Sequence, residues 1–380
     1  RKIVKGTISL MNKIKILMVV TRLTAADGVA AFAMNYLRES DTQKVQIDFA
    51  VYYPQKMSAE YTDEIKNHGG KILPLPPIRK IQAHCTACRQ IFEQEKYDIV
   101  HDNTLLITIP LMIIAKSMNV PVRILHSHNS KLGETKGKEI RNRMLLPFLV
   151  AQASDYAACS SKAATAMFGH APCTLIPNII NTEKFRFDAY SRESIRKKYN
   201  ASNKIVICTV ARIALQKNPY FAVDVIGDLY RKNHQIEYWW VGNGSLEEDL
   251  KNYVAQKGLD NIVRFWGEQK NVTEFLQGAD IFFLPSKFEG LGICVLEAQA
   301  CNLPCVVSTE IPNEAIIDTE IVTTIDLNQP SKIWADNILE AYRKNRDELK
   351  AYDKVKSSCY NNETGWNYLY SFYRSCLERG

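Results

Sequence analysis

Short apolar runs rich in β-branched and aromatic residues recur along the whole chain, each followed by a helix-length amphipathic stretch. In the first half the runs read "IKILMVV", "VQIDFAVYY", "KILPLP", "YDIVHDN", "VRILHSH" and "DYAACS". In the second half they read "KIVICTVAR", "IEYWWVGNG", "NIVRFWG", "DIFFLPS", "PCVVSTE" and "IVTTIDL". Strands that stay apolar on both faces belong to parallel sheets covered by helices on each side.

A chain of 380 residues exceeds one ordinary core, so two domains are expected. The series breaks at the polar, charged run "TLIPNIINTEKFRFDAYSRESIRKKYNASNK". The expectation is an α/β protein of two Rossmann-like domains whose parallel sheets face a central cleft. Residues 1–185 form the first domain, with 1–10 an extension ahead of Met11, and 186–362 form the second. The aromatic stretch 363–380 reads as a helix packing back toward the first domain.

Hydrophobic residues make up 46% and charged residues 23%, a globular composition. A net charge of +7 favours anionic ligands or an anionic membrane surface, or is an ordinary solvated surface; nothing calls for nucleic acid. The ten cysteines are scattered, mostly in apolar segments, and read as buried thiols in a reducing cytoplasm. "HCTAC" at His84–Cys88 is a single CxxC without a second pair, so it reads as structural. No apolar run reaches the length of a membrane span.

In open α/β sheets ligands bind beyond the carboxyl ends of the strands, and four such places carry polar chemistry. Gly28 follows the first strand and opens a helix whose unpaired N–H groups suit an anion, or is simply a turn glycine. Arg212 ends a strand of the second half and Lys217 follows five residues on. Two cations there suit a diphosphate, though a solvated loop would carry them equally well. His126 and His128 end another strand, and His101 and Asp102 of an earlier one could supply a third metal partner. Without a DxD or HExxH pattern, a neutral His126 imidazole aimed at substrate reads better than a metal site.

The fourth place is "FEGLGICVLEAQA". Gly290 and Gly292 allow close approach of the backbone, with the N–H groups of Leu291, Gly292 and Ile293 directed at a ligand. Glu289 precedes the following helix and Glu297 lies within it. Glu289 is favoured by the helix dipole and Glu297, among apolar neighbours, calls for hydroxyl donors such as a sugar's; the alternative is a capping Glu289 and a surface Glu297.

Taken in order, "ADGVAAFAMNYL", "YDIVHDN", "RILHSHNS", "CSSKAATAMFG", "IPNIINTEKF", "VARIALQKN", "VGNGSLEEDL", "RFWG" and "LPSKFEGLGICVLEAQACNLPCVVS" make the chain resemble the retaining glycosyltransferases of family 4, of GT-B fold. It is most similar to the subgroup that builds capsular, exo- and lipopolysaccharides. The resemblance implies that Glu289 and Glu297 are the Glu-x7-Glu pair, facing donor sugar and ribose respectively. It implies that Arg212 and Lys217 clamp the donor diphosphate with the helix end at Gly28. His126 and the backbone of Leu291, Gly292 and Ile293 would meet the sugar, and the backbone near Trp266 the base, suggesting UDP. It further implies retention without a metal or other cofactor, and a glycan or lipid-linked acceptor. Departures from the family pattern are the single Gly28 after Asp27, Ala211 before the clamp arginine, and Gly292 after Leu291; none removes a charged group.

A nicotinamide or flavin enzyme would need GxGxxG and an acidic residue about 20 positions on, which is absent. A GT-B nucleotide-sugar epimerase and a non-catalytic nucleotide-sugar-binding subunit remain as alternatives. "HNSKLGETKGKEIRNRMLLPFLVAQ" mixes five Lys and Arg with apolar residues. It reads either as a face meeting the inner leaflet of the plasma membrane or as a solvated helix.

Overall fold

The computed structural model describes residues 13–24, 27–55, 57–133, 135–343 and 350–379. The expected extension 1–10 and Met11 lie outside these. Seven strands build the first sheet: β1 (Ile14–Val20), β2 (Val45–Val51), β3 (Ile72–Pro74), β4 (Ile99–Asp102), β5 (Val122–Ser127), β6 (Asp155–Ala158) and β7 (Thr174–Leu175), in the order β3-β2-β1-β4-β5-β6-β7. Six build the second: β8 (Ile205–Val210), β9 (Ile236–Val241), β10 (Val263–Gly267), β11 (Ile281–Leu284), β12 (Cys305–Ser308) and β13 (Val322–Ile325), in the order β10-β9-β8-β11-β12-β13. Every ladder within these sheets is parallel; Ile16 of β1, for example, lies opposite Ile47 on one side and Ile99 on the other.

Period-2 geometry turns the apolar runs into two-sided cores. Ile16, Met18 and Val20 join one cluster while Leu17 and Val19 join the opposite one. In the second sheet Val206 and Cys208 face one way, Ile205 and Ile207 the other. The helix Asn362–Arg379 covers the first sheet: Trp366, Leu369, Phe372, Tyr373 and Cys376 all lie in the cluster of Ile16 and Met18.

The charged run between the sheets is not a bare connector. It forms β7, a short helix Thr182–Phe185 and a helix Ala189–Lys198 packed on the second domain. Arg192 and Arg196 of that helix pair with Asp280 at the start of β11, Arg196 at 2.9 Å, and Arg196 also donates to the Gly278 carbonyl. Its polarity therefore marks a pinned flank whose buried charges are paired, as burial requires. The cysteines are all free thiols, with Cys88 buried and Cys85 half-buried on the helix Ile81–Gln94.

Candidate active site

Strand order reverses between β1 and β4 in one sheet and between β8 and β11 in the other, which opens a crevice above each. The two crevices merge into one cleft of about 420 Å³, within the range of small-ligand sites. The first domain contributes Thr21 and Arg22 after β1, Asp27 and Gly28, Asn103 and Thr104 after β4, and His128 and Asn129 after β5. The second contributes Arg212, Gln216 and Lys217 after β8, Glu268 and Gln269 after β10, and Glu289, Gly290, Leu291, Gly292, Ile293 and Glu297 after β11.

Lys217 ends a short 3-10 turn, Leu215–Lys217, and Asn218 then adopts a left-handed conformation so that Pro219 can start the next helix. The turn delivers the Lys217 ammonium to Glu289, Nζ to Oε1 at 2.5 Å. Gln216 donates to the Phe288 carbonyl at 3.0 Å and reaches Glu289 Oε2 at 3.4 Å. Glu289 is 4% exposed, so these partners are what make its charge tolerable. Arg212, half-buried in the same wall, forms no ion pair among the described residues and remains available to an anion.

Glu297 is the counterpart of that cation. It is half-buried, with no side-chain hydrogen bond among the described residues, and burial pushes its carboxyl up to about 7 against a weaker opposing pull from Lys184. A carboxylate so placed calls for hydroxyl donors from a ligand.

The two glycines of the loop do different work. Gly292 has φ +86 and begins the helix Ile293–Ala300 without a side-chain cap. Its left-handed backbone turns that uncapped helix end toward the cleft. At Gly290 a Cβ would lie 1.9 Å from the His128 carbonyl oxygen, so this glycine lets the two domains touch. The Gly290 carbonyl also accepts from the Ser160 hydroxyl at 2.5 Å, and Lys131 lies 5.0 Å over the Phe288 ring. The sequence reading gave Gly290 to the ligand; the structure adds this inter-domain contact.

At Gly28 the picture differs from an open anion site. The Asp27 carboxylate accepts from the N–H groups of Val29 at 3.0 Å and Ala30 at 3.2 Å, and Arg22 pairs with it at 3.2 Å. The helix Gly28–Glu39 is thus capped by its own chain. The helix end at Gly292, unlike that at Gly28, has no side-chain cap.

His126 and Trp266 do not line the cleft. His126 is buried below it, its Nδ1 2.9 Å from His101 Nε2, and the His101 Nδ1 is 2.7 Å from the Tyr373 hydroxyl. This stack ties the C-terminal helix to β4 and β5, and burial holds both imidazoles far on the neutral side. The cleft histidine is His128, one residue past the end of β5, with Nε2 2.8 Å from Asn103 Oδ1. Counting strand residues rather than histidines would have found it, because the residue beyond the strand's end faces the crevice. Trp266 packs against Tyr199, with ring centres 4.2 Å apart, and its carbonyl accepts from Gln269, which with Glu268 forms that end of the cleft.

A family model described as "Glycosyltransferase Family 4" matches residues 26–184, and one described as "Glycosyl transferases group 1" matches 191–355. EpsF of Bacillus subtilis, named as a glycosyltransferase, is 28% identical over 83% of this chain and 84% of its own. The Escherichia coli UDP-Gal:alpha-D-GlcNAc-diphosphoundecaprenol alpha-1,3-galactosyltransferase is 26% identical over 70% and 76%. Among solved structures, Anabaena HepE in complex with UDP and glucose superposes with a TM-score of 0.79 at 14% identity, covering 95% of this chain and 100% of that one. WaaG, a glycosyltransferase involved in lipopolysaccharide biosynthesis, superposes at 0.71 and 13% identity over 96% and 98%. With one family model on each of its two sheets and a GT-B architecture throughout, the chain belongs to the group 1 and family 4 glycosyltransferases.

Proposed function

We propose that the protein is a retaining transferase that moves a hexosyl or N-acetylhexosaminyl group from a UDP-sugar to a glycan or lipid-linked acceptor during surface polysaccharide synthesis. The observation that carries this reading is the wall made by Arg212, the Lys217–Glu289 pair and the unpartnered Glu297 around the open helix end at Gly292. Relatives named for surface glycans support it. Besides the galactosyltransferase they include CapH of Staphylococcus aureus, a capsular polysaccharide biosynthesis glycosyltransferase, and HepE supplies the precedent of UDP with glucose.

In this reading Glu297 accepts from the ribose hydroxyls and Arg212 with Lys217 faces the diphosphate. Lys217, held by Glu289, and the helix N–H groups are in place before reaction, so with Arg212 they stabilise the leaving UDP at little cost in reorganisation. They supply the positive charge that a metal would otherwise bring, and we infer a metal-independent reaction. Glu289, holding Lys217 through one oxygen, faces the donor sugar. The acceptor hydroxyl attacks from the face that UDP leaves; the acceptor C–O bond forms as the sugar–phosphate bond breaks, and the leaving phosphate takes the proton. The free buried thiols fit a reducing cytoplasm as the place of action.

The test is UDP release from a panel of UDP-hexoses and UDP-N-acetylhexosamines in chelator, with and without polyprenyl-diphosphate-linked acceptors. Acceptor-dependent release with an α-linked product supports the reading. Sugar conversion without acceptor would identify an epimerase, and UDP binding without turnover a binding subunit; either would overturn it.

A further inference from the structure

The side-chain partner of the cleft histidine, His128, is Asn103, one residue past the end of β4. Asn103 is 6% exposed, so its amide has to be partnered within the fold. Its Nδ2 donates to the His101 carbonyl at 3.1 Å and to the Val19 carbonyl at 3.3 Å, with the Met18 sulfur 3.0 Å away. Main-chain carbonyls only accept. The amide therefore has one orientation, with nitrogen toward the strands and oxygen toward His128.

That orientation passes to the ring. Asn103 Oδ1 lies 2.8 Å from His128 Nε2 and can only accept, so Nε2 carries the hydrogen. Burial pushes the imidazole down to about 3, which leaves it neutral with a single ring proton. Nδ1 is then a bare lone pair, and no hydrogen bond reaches it among the described residues. The ring is boxed in: the Phe32 and His126 rings are centred 4.9 Å and 4.0 Å from it, and Gly290 abuts its carbonyl from the other domain. Such a ring satisfies its free nitrogen with a sugar hydroxyl. A carboxylate, carbonyl or phosphate oxygen, which brings no hydrogen, leaves it unmet. At so low a basicity the ring orients the hydroxyl without deprotonating it.

We propose, on the transferase reading above, that Asn103 is a positioning residue of the reaction: it fixes the tautomer of His128 and so makes the cleft imidazole a dedicated acceptor for a sugar hydroxyl. Asn103 acts through the ring, and it sets which way hydrogen runs in that contact.

The experiment reads the tautomer by nitrogen NMR of the full chain labelled at histidine, with the His128 signals assigned by their loss in His128→Gln. The parent should show Nε2 protonated and Nδ1 bare. A ring protonated on Nδ1, or a mixture of tautomers, would overturn the proposal. The spectrum needs no substrate, so a chain that transfers no sugar would remove the proposed function while the spectrum still decides on Asn103. Asn103→Leu removes the accepting oxygen and should release the ring from its single form, whereas Asn103→Asp keeps an oxygen there and should preserve it. Turnover should follow, about tenfold lower in the leucine variant than in the aspartate one, the worth of one hydrogen bond, with equal affinity for uridine diphosphate. Equal turnover in the two would overturn the proposal.

Two ring variants isolate the free nitrogen, because asparagine puts an oxygen where Nδ1 was and glutamine puts one where Nε2 was. His128→Asn should keep about tenfold more turnover than His128→Gln, and the reverse order would overturn the proposal. A deficit of Asn103→Leu in UDP-sugar affinity beyond that for UDP assigns the hydroxyl to the donor. One confined to the KM of the acceptor assigns it to the acceptor, and a deficit in neither would overturn the proposal.

Discussion

Glu297→Gln separates the two states of a cleft carboxyl that has no side-chain hydrogen bond among the described residues. Burial raises Glu297 to about 7, from an ordinary value of 4.5. The folded chain therefore keeps this proton over a range in which the unfolded chain has lost it. The stability it contributes is intact below about pH 4.5, declines as pH rises, and bottoms out above 7, where the ionised form costs about 3 kcal/mol. Glutamine is neutral throughout, so the variant should gain about 2 kcal/mol on the parent between pH 5 and pH 8 in urea unfolding.

Binding runs the other way. Ribose hydroxyls donate best to the ionised carboxylate, so at pH 6, where about a tenth is ionised, ligand should bind up to about tenfold more weakly than at pH 8. Uridine is the right probe, because it carries the ribose and no titrating phosphate. His128 and His101, both driven by burial to about 3, stay neutral across this window and add nothing. Asp102, pushed by burial to about 7 beside Thr104, does titrate there, and only the variant separates it from Glu297. Calorimetry of uridine at pH 6, 7 and 8 on both proteins decides: a slope in the parent that disappears in Glu297→Gln is expected. An equal slope in both, or none in the parent, would refute the assignment of Glu297 to the ribose.

Lys217→Ala strands the buried Glu289 charge, and loss of one partner of a buried pair costs about 3–5 kcal/mol; chemical unfolding should show most of it at pH 8, with turnover also lost, whereas Lys217→Ala/Glu289→Gln should recover stability but not activity. Gly290→Ala drives a Cβ into the His128 carbonyl across the domain boundary; small-angle scattering should report a more open molecule, and an unchanged radius with full activity would contradict the contact. Tyr373→Phe leaves the buried His101 Nδ1 without its partner, a loss of about 1–3 kcal/mol. Limited proteolysis should then release the C-terminal helix sooner than in the parent. His128→Ala should lower turnover far more than His126→Asn, read from kcat and KM on the best UDP-sugar, because only His128 reaches the cleft.

How the site was readable differs from residue to residue. Arg212, Lys217 and Glu289 lie within a few residues of the ends of β8 and β11, which carries them to the crevice, whereas Glu297 reaches it from inside the helix Ile293–Ala300. His126 was chosen over His128 because sequence shows two histidines near a strand end without showing where the strand stops. One residue decides whether an imidazole reaches the cleft or pairs with His101 below it, while both rings pack against Phe32. Asp27 was visible as a neighbour of Gly28, but not as the group that fills the helix end, since a cap depends on backbone angles at that residue.

Two doubly covered parallel sheets were determined by the sequence itself, because apolar runs of strand length separated by amphipathic helices have no other way to bury both strand faces. The same local logic set the charges at the strand ends. Only the tertiary structure decided what those charges meet. The Lys217–Glu289 pair, the Gly290 contact with His128 and the anchoring of His101 by Tyr373, 272 residues away, join segments that no local period relates. It also decided that the Lys136–Val150 helix buries one apolar face and leaves another in water, which depends on the neighbours the helix packs against.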